Sequence, residues 1–319
     1  MQPLVSHPLD RNWQPQAVLL LAYGAARCVE EVPAFVRHVR GGRETSAHQL
    51  QETTERYRQI GGRSPLHDVT NRTACQLQEV LHKPVYVGMR HSQPFIHETL
   101  AEMANQGVQS CVVICLAPHH SSMSIGAYHK ALATGLQDLS YDLQYAFVQA
   151  WHNHPLLVRL WARAVKRILQ SAGLSANQLQ NSHRVLFSAH SLPERIVQQR
   201  DPYPHQLRKT AQLVALHAGL ASSSWELVFQ SAPPSCEAWL GPQIEDRLPQ
   251  IAAQGVKDLF VAPIGFVSDH LEVLYDLDIL ACRIAQHNKM QLHRATMPND
   301  TSEFIAVLQG LVQGICKQV

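Results

Sequence analysis

The sequence predicts an α/β protein with two similar Rossmann-like domains, each a parallel sheet flanked by helices. Short apolar runs rich in Val, Leu and Ile alternate with longer amphipathic stretches along the whole chain. Polar residues do not interrupt these runs, which is typical of strands buried on both faces of a parallel sheet. A weak internal repeat, described below, indicates that the α/β unit occurs twice.

The candidate strands and helices alternate in chain order, as βαβ units require. The predicted strands are Ala17–Ala22, Val85–Gly88, Cys111–Leu116, Leu143–Val148, Val185–Ser188, Glu226–Phe229, Asp258–Val261 and a weaker candidate, Gln291–Arg294. The predicted helices are Ala47–Gln59, Asn71–Leu81, Ile96–Gln106, His154–Gln170, His205–Leu220, Gln243–Ala253 and a C-terminal helix, Thr301–Cys316.

The repeat relates one strand–helix–strand segment in each half of the chain. In both copies a helix ends in Gln-Gly-Val, at residues 106–108 and 254–256, and the next strand ends in Ala-Pro, at 117–118 and 262–263. Any two βαβ units share some likeness, so a chance resemblance stays open. We expect an N-terminal domain over residues 1–150 and a C-terminal domain over 151–300. A C-terminal helix, about 301–319, could pack on either domain, the N-terminal one included.

Composition limits the class of protein. The 319 residues are 45% hydrophobic and 16% charged, an ordinary balance for a globular chain. No apolar run approaches the roughly 18 residues needed to span a bilayer, and Met1 to Gln16 lacks the features of a secretory signal. We therefore expect a cytoplasmic, soluble protein without a transmembrane segment. The net charge of +2 offers no basic field for nucleic acid.

Several kinds of site are disfavoured by missing motifs. The seven cysteines are scattered; Cys111 and Cys115 lie in an apolar run and are expected to be buried thiols. The tail offers only Cys316, so no iron–sulfur cluster is expected. No G-x-G-x-x-G follows a strand, and neither a P-loop nor a G-x-S-x-G sequence occurs, which argues against dinucleotide, nucleoside-triphosphate and α/β-hydrolase sites.

The segments rich in chemically active side chains all follow predicted strands. Ligands of open α/β sheets bind outside the carboxyl ends of the strands. The segments at those ends are Ala22-Tyr23-Gly24, Gly88 to His91, Ala117 to Ser122, Ser188 to Pro193, and Gly265 to Glu272. We therefore expect them to meet in one cleft between the two domains, although many functions share this architecture.

His190 is the first candidate for chemistry, because it follows a predicted buried strand at the carboxyl end of that strand. A neutral imidazole there could accept a proton near neutral pH or coordinate a divalent metal. A histidine that only hydrogen-bonds its own loop would look the same in the sequence. Position alone leaves both interpretations open.

An acidic run forms the second candidate. Asp269, Glu272 and Asp276 are spaced three and four apart, so on an α-helix they would share one face. A solvated acidic face at a helix start is a common alternative. The run follows an almost wholly apolar segment, residues 261–267, which favours a functional row beside a buried loop. Together with His190, such a row could hold a divalent ion loosely and accept protons from a weakly acidic N–H.

The motifs around these residues resemble the ferrochelatase family along nearly the whole chain, from Leu19 to about Phe304. The resemblance depends on residues 187–193 (FSAHSLP), 201–204 (DPYP), 239–242 (WLGP) and 265–276 (GFVSDHLEVLYD). It implies two chelatase-type domains with the active site in the cleft between them. The implied reaction is the insertion of Fe²⁺ into a porphyrin, as a step of haem biosynthesis.

Further segments resemble the bacterial members that metallate coproporphyrin III. They are residues 22–24 (AYG), 56–57 (RY), 60–62 (IGG), 64–66 (SPL) and 88–91 (GMRH). By this resemblance His190 and Glu272 are catalytic, and together with Asp276 they bind the iron. Tyr23 approaches the iron from the other face of the macrocycle; members that act on protoporphyrin IX typically lack a tyrosine there. The implied substrate-binding residues are Tyr23, Arg40, Arg56, Tyr57, Ser64, His91, Ser122 and Tyr128.

Four propionates on coproporphyrin III would need cationic and hydroxyl partners, which arginine and tyrosine supply. Arginines on a solvated helix surface are the alternative for Arg40, Arg43 and Arg56, and we favour it for Arg43. The chain departs from the family at Leu280: many members continue the acidic row there, one helical turn past Asp276. Asp278 is acidic, but on an ideal helix its side chain would point away from that row.

The sequence therefore predicts a coproporphyrin III ferrochelatase that needs no cofactor beyond its substrate ion. The expected partners are the porphyrin, Fe²⁺ and transient proteins of the haem pathway, with no nucleic acid. A protoporphyrin IX ferrochelatase is the nearest alternative, and a non-catalytic haem-binding or porphyrin-binding protein is the alternative from another class.

Overall fold

Two separate β-sheets organise the chain. The structure is a computed structural model that describes residues 4–7, 13–233 and 236–318. One compact unit comprises the described residues up to Trp151, Ser268–Leu271 and the segment that begins at Asn299. The other comprises the described residues of His152–Val267 together with Glu272–Pro298.

The first unit contains a five-stranded sheet in the order β1-β5-β4-β2-β3. Its strands are β1 (Leu4–Val5), β2 (Ala17–Ala22), β3 (Val85–Met89), β4 (Ser110–Cys115) and β5 (Gln144–Val148). All neighbours are parallel except β1, which pairs antiparallel with β5. The helices of this unit are α1 (Val32–Val39), α2 (Ala47–Gln59), α3 (Leu66–Leu81), α4 (Ile96–Asn105), α5 (Ile125–Asp138) and, much later in the chain, α11 (Ser302–Gln318).

The second unit contains a four-stranded, wholly parallel sheet in the order β7-β6-β8-β9. Its strands are β6 (His183–His190), β7 (Trp225–Gln230), β8 (Asp258–Ala262) and β9 (Gln291–Arg294). The helices are α6 (Pro155–Ser171), α7 (Arg195–Gln198), α8 (Tyr203–Ala218), α9 (Ile244–Ala253), a π-helix (Val273–Ala281) and α10 (Cys282–His287). The predicted α/β fold of parallel sheets flanked by helices is confirmed.

The central strands are buried because both faces of each sheet are covered. Every residue of β2 is at most 3% exposed, and β4 is buried along its whole length. The predicted burial of Cys111 and Cys115 is confirmed, since both side chains are 0% exposed. Burial of such runs supplies most of the stabilisation, at about 25 cal/mol for each Å² of apolar surface removed from water.

Two helices of the first unit were not expected from the sequence. The helix α1 begins with a proline in its first turn, and α5 contains two glycines, so neither segment has a strong helical pattern. At Gly135 a Cβ atom would lie 2.8 Å from Cδ1 of Leu100. The glycine therefore allows α5 to approach α4 closely, at the expense of helix propensity.

The C-terminal helix α11 belongs to the first unit, where it packs against α3. Just before it, Asp300 accepts hydrogen bonds from Arg72 of α3, with a shortest distance of 2.6 Å. In the described part of the chain, no helix is both long and apolar enough to cross a membrane.

All seven cysteines are free thiols, and they differ in exposure. Cys75 on α3 is exposed in the first unit, and Cys236 is exposed in the second. The other five are buried or partly buried.

Candidate active site

His190 and Glu272 form a close pair in the second unit. His190 is the last residue of β6, and Glu272 directly precedes the π-helix. The imidazole Nε2 lies 3.3 Å from Oε1 of Glu272. The side chains are 31% and 35% exposed, so the pair is open to a ligand. The structure thus brings together the two residues that the sequence predicted as catalytic.

Neighbouring groups fix the orientation of the imidazole. Its Nδ1 donates a short hydrogen bond to the carbonyl of Ser191, which leaves Nε2 facing Glu272. The hydroxyl of the buried Tyr203 donates to the His190 carbonyl at 2.9 Å. Burial, and then the charges of Glu272 and Asp201, raise the pKa of Tyr203, so this hydroxyl stays a donor.

The protonation of His190 depends on its anionic neighbours. Burial alone would lower its pKa, because an imidazolium loses hydration. The charge of Glu272, the hydrogen bond with it, the Ser191 carbonyl and the charge of Asp276 oppose this effect and raise the pKa of His190 to about 9. In the metal-free pair, His190 is therefore a cation at neutral pH. A divalent ion must displace this proton before it can bind the nitrogen.

The apolar loop before the acidic run packs tightly against the histidine strand. A Cβ atom at Gly265 would lie 2.5 Å from Cβ of Ala189 and 2.7 Å from its Cα. The amide of Gly265 also donates to the Ser188 carbonyl at 3.1 Å. Only a glycine permits this approach, which holds the loop against the residue that precedes His190.

The acidic run does not form the single helical row that its spacing predicted. Asp269 precedes the helix; its amide and carboxylate bond the side chain of Asn299 at 2.8 and 2.7 Å. A π-helix follows Glu272, with i→i+5 bonding in place of the α-helical pattern. The prediction that Asp269 shares one helical face with Glu272 and Asp276 is therefore wrong.

Asp276 is 4% exposed and accepts a short hydrogen bond from the hydroxyl of Ser231. Asp278 faces elsewhere, as expected, and is held by Arg294 through bonds of 2.6 and 2.9 Å. Within the described ranges, no group of three or more His, Cys, Asp or Glu side chains is arranged to hold a metal ion. Asp276 as a third iron ligand stays a prediction.

Tyr23 and His91 lie together in the first unit. Tyr23 is 42% exposed, and its ring centroid is 4.5 Å from that of the buried His91. The backbone amide of His91 donates to the Tyr23 carbonyl at 2.9 Å. Burial, and then the charges of Arg90 and His38, lower the pKa of His91 to about 3, so its imidazole is neutral.

The other predicted substrate contacts differ in accessibility. Tyr57 is 1% exposed and its hydroxyl accepts from the amide of Ala26 at 3.1 Å. Ser64, 4% exposed, accepts weakly from the Leu66 amide, and Tyr128 is buried with Arg90 over its ring at 5.9 Å. The remaining three are more accessible: Arg40 is half-buried, whereas Arg56 and Ser122 are exposed. As substrate contacts, all of these residues stay predictions.

Sequence reasoning missed several polar residues that hold the site together. Gln230 and Ser231 follow β7 and bond the Glu272 carbonyl and the Asp276 carboxylate, respectively. In the first unit, Nδ1 of His38 lies 3.1 Å from Nδ1 of His91. A polar residue at the carboxyl end of a buried strand was the available signal for Gln230, whereas His38, on the exposed face of α1, offered none.

A family model described as ferrochelatase matches residues 15–315 of the chain. The chain belongs to the ferrochelatase family. A protein named ferrochelatase from Deinococcus radiodurans is 37% identical over 307 residues, which cover 95% of this chain and 96% of that protein. A protein named coproporphyrin III ferrochelatase from Halalkalibacterium halodurans is 35% identical, covering 93% of this chain and 96% of that protein.

Among solved structures, SirB from Bacillus subtilis with Fe³⁺ superposes with a TM-score of 0.56 at 12% identity, covering 95% of this chain and 96% of that chain. This likeness supports the two-domain, chelatase-type architecture alone. As a ferrochelatase family member the chain is a metal chelatase, an enzyme whose substrates are a porphyrin and a metal ion.

Proposed function

We propose that the chain inserts Fe²⁺ into coproporphyrin III and that His190 and Glu272 are the residues that handle the ion. The observation that supports this most directly is the 3.3 Å contact between Nε2 of His190 and Oε1 of Glu272. One imidazole nitrogen and one carboxylate suit a borderline divalent ion. Two ligands, in place of four, suit an ion that has to be released again.

The reaction replaces two pyrrole N–H bonds by bonds to iron, so each Fe²⁺ that enters the ring releases two protons. His190 gives up its own proton when the ion binds and is then bonded through a neutral nitrogen. After the ion has moved to the porphyrin, Nε2 is free to accept a proton again. Because the two groups are coupled, their protons belong to the pair and not to either residue.

Two considerations favour coproporphyrin III over protoporphyrin IX. Relatives named coproporphyrin III ferrochelatase are 33–36% identical across most of this chain. An exposed tyrosine is also present at position 23, where, by the resemblance described above, members that act on protoporphyrin IX typically lack one. Relatives named only ferrochelatase match as well, so protoporphyrin IX is the competing substrate in the test.

The site assignment is tested by anaerobic Fe²⁺ insertion with His190→Ala and Glu272→Gln. We expect each variant to lose at least about 100-fold in kcat, the scale of losing a positioned catalytic group. His293→Ala is a matched control, because His293 on β9 forms a similar pair, at 3.4 Å and with 24% and 31% exposure, with Asp258, which starts β8. The site residue His190, by contrast, ends β6. Near wild-type rates for both site variants would exclude this pair.

The substrate is tested by steady-state metallation of the two porphyrins in parallel. A kcat/KM at least about tenfold higher for coproporphyrin III is expected, which corresponds to about 1.4 kcal/mol of transition-state discrimination. Equal or reversed values would exclude the proposed preference and leave the chelatase activity intact. The cytoplasmic location, the transient protein partners and the lack of any further cofactor stay predictions.

A further inference from the structure

We infer that Gln230 is a positioning residue that sets the separation between His190 and Glu272. This inference rests on the proposed function of that pair. Gln230 is the last residue of β7, and it lies opposite His190 in the register of the parallel β6–β7 pair. It is fully buried, which is unusual for a glutamine unless its amide is satisfied.

Both ends of the Gln230 amide are hydrogen-bonded to the elements that carry the pair. Its Oε1 accepts from the hydroxyl of Ser188 on β6 at 2.9 Å, which fixes the amide orientation. Its Nε2 donates to the backbone carbonyl of Glu272 at 3.1 Å. The backbone carbonyl of Gln230 accepts from the amide of Ser191 at 2.8 Å. One residue therefore bonds the strand that ends in His190 and the residue that bears the carboxylate.

The two partners come from distant parts of the sequence, so local chain connectivity does not fix their separation. His190 is fixed by the β-ladder, whereas Glu272 precedes a π-helix, a rare element that lies outside the sheet. A donor that holds the Glu272 carbonyl fixes the start of this helix relative to β6. The distance between Nε2 of His190 and Oε1 of Glu272 then depends on Gln230, although its side chain bonds neither reacting atom.

Removing the Gln230 amide should lower both the stability of the fold and the rate of the reaction, and a second substitution at Ser188 separates these two effects. Gln230→Met keeps the shape of the side chain and removes both hydrogen bonds, which leaves the buried Ser188 hydroxyl without its acceptor. An unsatisfied buried hydroxyl is destabilising, whereas replacing both partners by apolar groups is nearly neutral. The double variant Ser188→Ala/Gln230→Met should thus be more stable than Gln230→Met alone, but it still lacks the hydrogen bond to the Glu272 carbonyl.

The test compares thermal melting temperatures and anaerobic Fe²⁺ insertion kinetics of the wild type, Ser188→Ala, Gln230→Met and the double variant. We expect the double variant to melt near the wild type while its kcat stays about 10- to 100-fold lower, the cost of a small misplacement. Its KM for the porphyrin should change by less than about twofold, because substrate binding is untouched. Ser188→Ala alone should keep most of the activity.

Glu272→Gln provides the second arm. If Gln230 acts through Glu272, adding Gln230→Met to Glu272→Gln should not lower the rate further, because the two effects are not additive. Recovery of wild-type kcat in the Ser188→Ala/Gln230→Met variant would overturn the inference, as would loss of the folded state in both Gln230 variants, since Gln230 would then serve folding. A wild-type rate for Glu272→Gln would instead exclude the proposed function of the pair.

Discussion

The charge of Glu272 should control both the protonation of His190 and the pH dependence of stability. The perturbation is Glu272→Gln, which keeps the size of the side chain and removes the negative charge. Without that charge, the desolvation of the imidazole is opposed by the Ser191 carbonyl and by the charge of Asp276, which has the smaller effect. We therefore expect the pKa of His190 to fall from about 9 to below its ordinary value of 6.5.

The magnitude follows from the difference between the two pKa values. A rise from 6.5 to about 9 corresponds to about 3.4 kcal/mol of favourable interaction with the protonated form. Because roughly a third of each side chain is exposed, solvent screening reduces this to about 1–2 kcal/mol. A raised pKa stabilises the fold fully below pH 6.5, and this contribution is lost as the pH rises through 9.

The assay combines NMR titration of the His190 ring protons with urea unfolding of both proteins at several pH values. The free energy of unfolding of Glu272→Gln should be lower by about 1–2 kcal/mol at pH 6, and the difference should fall to zero or reverse near pH 10. Asp258→Asn is the control, because it removes a carboxylate from the other histidine pair and should leave the His190 titration unchanged. A difference that is independent of pH, or a His190 midpoint that does not move, would refute the reasoning.

Three further predictions concern other parts of the chain. Burial lowers the pKa of His91 to about 3, so the folded protein keeps this imidazole neutral while the unfolded chain protonates it below pH 6.5; the free energy of unfolding should therefore fall by about 2 kcal/mol by pH 5. In thermal melts, His91→Gln should lose less stability on acidification than the wild type, and an equal loss would contradict this. Gly265→Ala should destabilise by about 1–3 kcal/mol in urea unfolding and slow iron insertion, because its Cβ overlaps Ala189, whereas Gly314→Ala on α11, with no atom within 4 Å, should be neutral or stabilising. Arg294→Ala should cost more than Arg72→Ala in the same assay, because Arg294 is 16% exposed and Arg72 is 55% exposed; equal costs would show that burial does not strengthen the Asp278 pair.

The strands were the part of the fold most accessible to prediction from sequence. Their apolar runs are long enough to show burial on both faces, and all eight expected strands occur within two residues of the observed bounds. The strand that the sequence did not predict is β1, whose two residues are exposed and pair antiparallel at the edge of the sheet. A strand that short has no pattern to detect.

The helices were less predictable because tertiary contacts override their weak local signals. Residues Leu66–Thr70 belong to α3 although the expected helix began at 71; Pro65 at its N-cap already has helical backbone angles. The π-helix has no counterpart in sequence-period arguments, which assume 3.6 residues per turn. This assumption placed Asp269 in a row that the backbone does not form.

The candidate site was partly visible in the sequence for a physical reason. His190 and Glu272 lie at the ends of recognisable buried segments, so position at the sheet edge suggested both of them. Their 3.3 Å contact depends on side chains 40 or more residues apart, such as Gln230, and pairings of that range have no local signature. The raised pKa of His190 likewise follows from that contact and not from the residue type.

The two exposed thiols give each compact unit a separate chemical handle. Cys75 and Cys236 can be labelled with a donor and an acceptor fluorophore, whereas the buried Cys111 and Cys115 should react slowly, since burial raises the pKa of both thiols. In a variant whose partly buried Cys28, Cys282 and Cys316 are replaced by serine, energy transfer between the labels during porphyrin addition would report in real time whether the substrate changes the spacing of the two units.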